Sequence, residues 1–129
     1  MIRDDYILAL IERIAELLAA ALGREVAGEA ELDDACQELV GLPLPLVEQL
    51  SHDALLDLLG DAAPAQRAGL GMMLIARGED LIARADPAGF VQLDKGLRLA
   101  GAAAAQLQQP PPALIAAIAR AGTLTNSGS

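Results

Sequence analysis

Residues 76–103 read ARGEDLIARADPAGFVQLDKGLRLAGAA, and this stretch decides the fold. Asp86-Pro87 interrupts it, because proline has no amide hydrogen and disfavours helical geometry in the residue before it. The pattern on each side is helical, over 65–85 before the break and over 88–108 after it. In the second helix Phe90, Leu93, Leu97, Ala100 or Gly101, and Ala104 fall on one face. Asp80 with Arg84, and Asp94 with Arg98, stand four apart in the favoured order and support the two helices.

Working upstream, Pro64 suits the first turn of the 65–85 helix. Its middle, AGLGMMLIA at 68–76, is apolar on every side, which predicts the centre of the fold. Ser51 is a candidate N-cap for a helix over 53–59, with His52 and Asp53 in the first turn and Gly60 at its end. A short helical turn precedes it at 44–50. A helix over 29–40 carries Leu32, Ala35, Cys36, Leu39 and Val40 on its apolar face and ends at Gly41 and Pro43. The first helix, over 4–22, carries a seam of Ile7, Ile11, Ile14, Leu18 and Ala21, widened by Leu8, Leu10, Leu17 and Leu22. Glu12, Arg13 and Glu16 mark its wet side. Downstream, Gln108, Gln109 and the run over 110–112 make a stiff connector. A short apolar helix over 113–121 then places Leu114, Ile115 and Ile118. The expected organisation is a helical domain over 1–109, a Pro-linked helix over 110–121 that packs on the domain or a partner, and a disordered tail over 122–129. The fold class is all-α, an antiparallel stack of about six helices.

Composition excludes more functions than it suggests. The chain has 129 residues and is 53% hydrophobic, with one His, one Cys, one Tyr, one Phe and no Trp. That is ample for a core and poor for nucleophilic or general acid–base chemistry. A net charge of -9 argues against nucleic acid and anionic lipid as partners. A single Cys forbids an internal disulfide and a Cys-based zinc site, and fits a reducing cytoplasm. The opening MIRDDY carries acids where a signal peptide needs net positive charge. The apolar runs over 68–76 and 113–119 fall well short of the roughly 20 residues that span a bilayer.

The segment over 76–103 resembles one tetratricopeptide-type helical hairpin. That repeat places a small residue in its first helix and two, seven apart, in its second. Gly78 matches the first, and Gly89 and Gly96 match the pair. Such residues allow close helix approach, which a bulky side chain would block. By this reading Gly96→Leu destabilises by about 1–3 kcal/mol, and Gly96→Ala is mild or even stabilising. The turn is about one residue shorter than the family's, and Leu81 and Leu93 replace its usual aromatics. The chain from 4 to 106 is also similar to a family of small bacterial all-helical proteins of unknown function. The motifs DYI-x-x-x-IE and GLPL carry that similarity, which implies a helical, cytoplasmic protein and no activity.

The candidate sites are few. No basic residue lies between Arg24 and Arg67, and Glu31, Asp34 and Glu38 share one helical face. Mg²⁺ or Ca²⁺ would need more oxygen ligands than one helix supplies, so the expected reading is a solvated acidic face, with a docking face for a basic partner as the other. His52 has Glu48 four residues before it and Asp53 beside it, but a Ser51 cap would break the helix between His52 and Glu48. Cys36 and Met72-Met73 read as core filling. Gly69 and Gly71 read as close packing and not as a phosphate cradle.

No catalytic residue, cofactor or metal is expected. The functional expectation is a non-enzymatic interaction or scaffold protein that forms a homodimer. Its contact residues are Ile7, Ile11, Ile14 and Leu18 on the first helix, and Leu114, Ile115 and Ile118 on the last. The alternative is a helical binder of a small apolar ligand.

Overall fold

The computed structural model describes residues 9, 12, 28–60, 62–108, 110 and 112–127. The helix expected over 4–22, with Ile7, Ile11, Ile14 and Leu18, lies outside the described residues apart from Ala9 and Glu12, which are helical and exposed. Six helices follow: α1 (Gly28–Val40), α2 (Leu44–Gln49), α3 (His52–Leu59), α4 (Pro64–Ala83), α5 (Ala88–Gln106) and α6 (Pro112–Ser127). The described residues contain no strand, and the chain is an all-α stack. No helix among them is long and apolar enough to cross a membrane.

Local chemistry sets the boundaries. Gly41 and Gly60 take positive φ (75° and 54°) to stop α1 and α3. Asp33 of α1 accepts a hydrogen bond from the Leu44 amide at 2.7 Å, so an acid of the first helix caps the start of α2. Ser51 caps α3, its Oγ accepting from the Ala54 amide at 3.2 Å. At α4, Gln66 Oε1 accepts from the Ala63 amide at 2.9 Å while Nε2 donates to the Leu39 carbonyl at 3.0 Å. One side chain thus caps α4 and ties it to α1.

Helix α4 lies at the centre. Leu70, Met73, Leu74 and Ile75 are fully buried, and Met72 nearly so. Helix α5 packs against it through two glycine pairs in antiparallel register. A Cβ built on Gly96 would stand 2.6 Å from the Gly71 carbonyl oxygen, and one on Gly89 the same distance from that of Gly78. Residues seven apart complete almost two turns, so both pairs lie on one face of each helix. This packing turns α5 about one residue away from the face expected for it. Gly89, Leu93, Gly96 and Ala100 face α4, and Phe90 is left 41% exposed. The cause is geometric: the backbones approach this closely only where the glycines meet.

The connection between α4 and α5 closes with Ala85 at φ 61°. The Asp86 amide donates to the Leu81 carbonyl at 2.8 Å and the Ala85 amide to the Ile82 carbonyl at 2.9 Å, the paired bonds of a Schellman C-cap. An alanine in that conformation carries roughly 1 kcal/mol of strain. Ala85→Gly is therefore expected to raise stability by about 0.5 kcal/mol, after allowing for the looser unfolded chain. A urea midpoint that fell instead would show that Ala85 is not strained.

Helix α6 corrects two expectations. It runs to Ser127, so the tail expected from residue 122 is helical at least that far. Thr123 and Thr125 hydroxyls donate to the Ala119 and Ala121 carbonyls at 3.1 and 2.7 Å, inside the helix. Leu114, expected at a partner surface, is fully buried in the core with Ala117 and Ala121. Arg120 reaches Glu79 of α4 at 3.4 Å, which ties α6 to the domain.

Candidate functional site

The polar centre of the molecule is Lys95, the only lysine in the chain. It sits on the inward side of α5 and is 4% exposed. Its Nζ donates to the carbonyls of Val47 (2.8 Å), Glu48 (2.8 Å) and Leu50 (2.7 Å). These oxygens end α2, where the last carbonyls of a helix have no partner within it. An ammonium carries three donors, so the three carbonyls saturate it. Gln92, one turn earlier, adds a bond from Nε2 to the Glu48 carbonyl at 3.0 Å. Together they clamp the bend between α2 and α3 onto α5.

A second charge sits beside the clamp. Glu48 accepts from Arg77 Nε of α4 at 2.6 Å, and Arg77 also reaches Asp80 at 3.4 Å. Burial pushes the Lys95 ammonium below its ordinary value of 10.5, and the Glu48 carboxylate pushes the other way. The arrangement is a positioning device: every proton of Lys95 is held by a carbonyl, so the amine has no lone pair to offer a substrate. Sequence reasoning missed this residue. The available signal was a single lysine among eight arginines, set three residues before Arg98 but on the apolar side of α5. A compact ammonium fits three converging oxygens better than a planar guanidinium does.

The residues singled out from sequence fall apart in space or into structure. Glu48 is engaged by Arg77, and His52 approaches Asp53 at 3.6 Å on a half-exposed helix start. Asp34 and Glu38 are exposed on α1. Asp80–Arg84 (3.3 Å) and Asp94–Arg98 (3.1 Å) form the expected pairs. Gly78, Gly89 and Gly96 all lie in the α4–α5 contact, joined there by Gly71. Among the described residues no three of His, Cys, Asp and Glu gather where they could hold a metal.

Cys36 is fully buried, and its thiol is pushed up from 9.0 to about 12 by burial first, then by the charges of Asp33 and Glu48. The folded chain therefore keeps a proton that the unfolded chain releases above pH 9. That contribution is intact below pH 9 and is lost as pH climbs toward 12, at about 1.4 kcal/mol per pH unit. Lys95 works in the opposite sense just below pH 10.5. Cys36→Ala is expected to flatten the fall in urea midpoint between pH 9 and 11 while lowering the plateau at pH 7. An unchanged slope would place the thiol in water.

The apolar surface remains. Leu58 (51%), Phe90 (41%), Val91 (59%) and Ile115 (50%) are large and exposed. Leu58 edges a cleft of about 250 Å³ that is also lined by Val40, Leu42, Leu59, Ala62 and Gln66. Comparison with protein-family models, with curated proteins and with solved structures finds no match to this chain.

Proposed function

We propose that this chain is a non-enzymatic interaction or scaffold protein that works as a homodimer, with α5 and α6 offering the contact surface. One observation carries the reading. The chain has a single Phe, and it stands beside Val91 on the surface at the start of α5, while Ala, Gly and Leu fill the core. A partner would bury the 41% of Phe90 that the free chain leaves in water, and half-exposed aromatic rings of this kind are common anchors of interfaces. Ile118 is half-buried and Ile115 exposed, so the partner-facing part of α6 reduces to Ile115 and its neighbours.

The reading implies a cytoplasmic protein with a protein partner, without a cofactor and without nucleic acid. The tetratricopeptide resemblance is consistent with it, because single hairpins of that kind leave apolar faces for a second element to cover.

Light scattering of the full chain at micromolar concentration is expected to give twice the monomer mass. Phe90→Ser with Ile115→Asp is expected to weaken dimerisation at least tenfold, with helix content unchanged. A monomer mass at every concentration would overturn the reading. The cleft under Leu58 supports a second reading, the binding of a small apolar ligand. Its volume falls just below the usual range for ligand sites, about 300–1,000 Å³. A dye whose fluorescence rises on the wild type and not on Leu58→Glu would favour that reading.

A further inference from the structure

Residues 42–59, the elbow formed by α2 and α3, run between two glycines. Gly41 and Gly60 bound the elbow at φ 75° and 54°, a conformation that favours glycine. The surrounding structure leaves space at both ends, since a Cβ on either glycine would meet nothing within 4 Å. On the exposed side Arg67 Nη2 donates to the Gly60 carbonyl at 2.7 Å.

Neither helix of the elbow stands alone. They have six and eight residues, and isolated helices shorter than about 12–15 residues are marginal in water. Between them they bury three residues, Leu44, Val47 and Leu55, where α4 buries eleven. The elbow therefore depends on polar ties made to it from outside. Four of these close on the bend between α2 and α3: the Lys95 bonds to the Val47, Glu48 and Leu50 carbonyls, and the Gln92 bond to that of Glu48. Arg77 holds the Glu48 carboxylate, and Asp33 holds the Leu44 amide at the other end of α2. The pair that supplies Lys95, Gln92 and Arg77 is itself secured elsewhere. Helices α4 and α5 meet backbone to backbone at Gly71 with Gly96 and at Gly78 with Gly89, and no residue of the elbow takes part.

We propose that residues 42–59 open as one unit about Gly41 and Gly60 while α4 and α5 stay packed, with the Lys95 clamp as the latch. A segment that buries few side chains and hangs on a few ties is one that opens sub-globally. The Lys95 bonds all fall on one bend, so the bend is held or released as a whole. Closed, the elbow hides the chain's one lysine amine behind three carbonyls. Open, it presents that amine and the inner side of Leu44, Val47 and Leu55. The inference goes beyond the association reading and does not rest on it, because Phe90, Val91 and Ile115 lie outside the elbow.

Acetylation by an activated ester, read by mass on the peptide that carries Lys95, follows this one amine. In the full chain near pH 8, Lys95 is expected to react at least a hundredfold more slowly than free lysine. Its protection should nevertheless be at least tenfold weaker than that of the central α4 amides in hydrogen exchange. The rate should rise with urea at less than about a third of the slope of those amides, because the slope follows the surface exposed. Gly101→Ala separates the two routes. Its gain in helix propensity belongs to α5, persists when the elbow alone opens and is lost only on global unfolding. It is expected to slow α4 exchange by up to about fivefold and to leave the Lys95 rate unchanged. Gly60→Ala strains the closed elbow and is expected to speed acetylation at least fivefold. Lys95 protected as strongly as the α4 amides, with their urea slope and their slowing in Gly101→Ala, opens only with the whole fold and overturns the inference. Acetylation as fast as on free lysine places the amine in water and overturns it as well. A Gly60→Ala rate equal to the wild type contradicts the hinge.

Discussion

Gly96→Ala is expected to lower the stability of the chain by about 3 kcal/mol, the upper end of what overpacking costs. The methyl carbon would stand 2.6 Å from the Gly71 carbonyl oxygen and 2.7 Å from the Ile75 amide nitrogen. Both are backbone atoms of α4, so no side chain can turn away, and the helices must part. Parting them opens gaps around Leu93, which is fully buried in the same contact. Gly101 is the control: a Cβ there meets nothing within 4 Å. Gly101→Ala is therefore expected to gain up to about 1 kcal/mol from helix propensity alone. Gly71→Ala should behave as Gly96→Ala does. The double variant should lose less than the sum of the two, because the helices separate only once. Urea midpoints of the four variants check all of this. A Gly96→Ala chain as stable as the wild type would mean that the α4–α5 contact is looser than the structure has it.

The second large effect is at Lys95. Lys95→Met keeps most of the volume and removes every donor, leaving the Val47 and Leu50 carbonyls unpaired and the Glu48 carbonyl with Gln92 alone. A buried acceptor left without a partner costs about 1–3 kcal/mol, and a charged donor adds to that, so the loss should reach roughly 3–5 kcal/mol. Lys95→Arg should rescue little, because a planar fork does not converge on three oxygens. The damage should be directional. Amides of α2 and α3 should lose hydrogen-exchange protection before those at the centre of α4. Uniform loss over the whole chain would argue against a local clamp.

Much of the fold was legible in the sequence, for identifiable reasons. Asp86-Pro87, Gly41, Gly60 and Ser51 act locally, and local chemistry is what a sequence displays. The rotation of α5 was not legible. The hydrophobic pattern put Phe90 inward, but close contact of Gly71 with Gly96 and of Gly78 with Gly89 outweighed it. The same contact overturns the expectation that Gly96→Ala is mild. That expectation weighed propensity, whereas the decisive atoms belong to residues 21–25 positions away. The end of α6 was not legible either: the tail from 122 was expected to be disordered, yet the Thr123 and Thr125 hydroxyls bond back into the helix. Lys95 was invisible because its partners are carbonyls 45–48 positions away, and backbone groups leave no mark in a residue pattern.

Lys95 holds the bend between α2 and α3 onto α5. The sole lysine tests it in one measurement. With nitrogen-15 in the lysine side chain, the spectrum holds a single Nζ signal, that of Lys95. At pH 7 its ammonium protons are expected to exchange slowly enough with water to be seen, with a titration midpoint below 10.5. An Nζ signal with protons in fast exchange and an ordinary midpoint would place the amine in water, and the clamp with it.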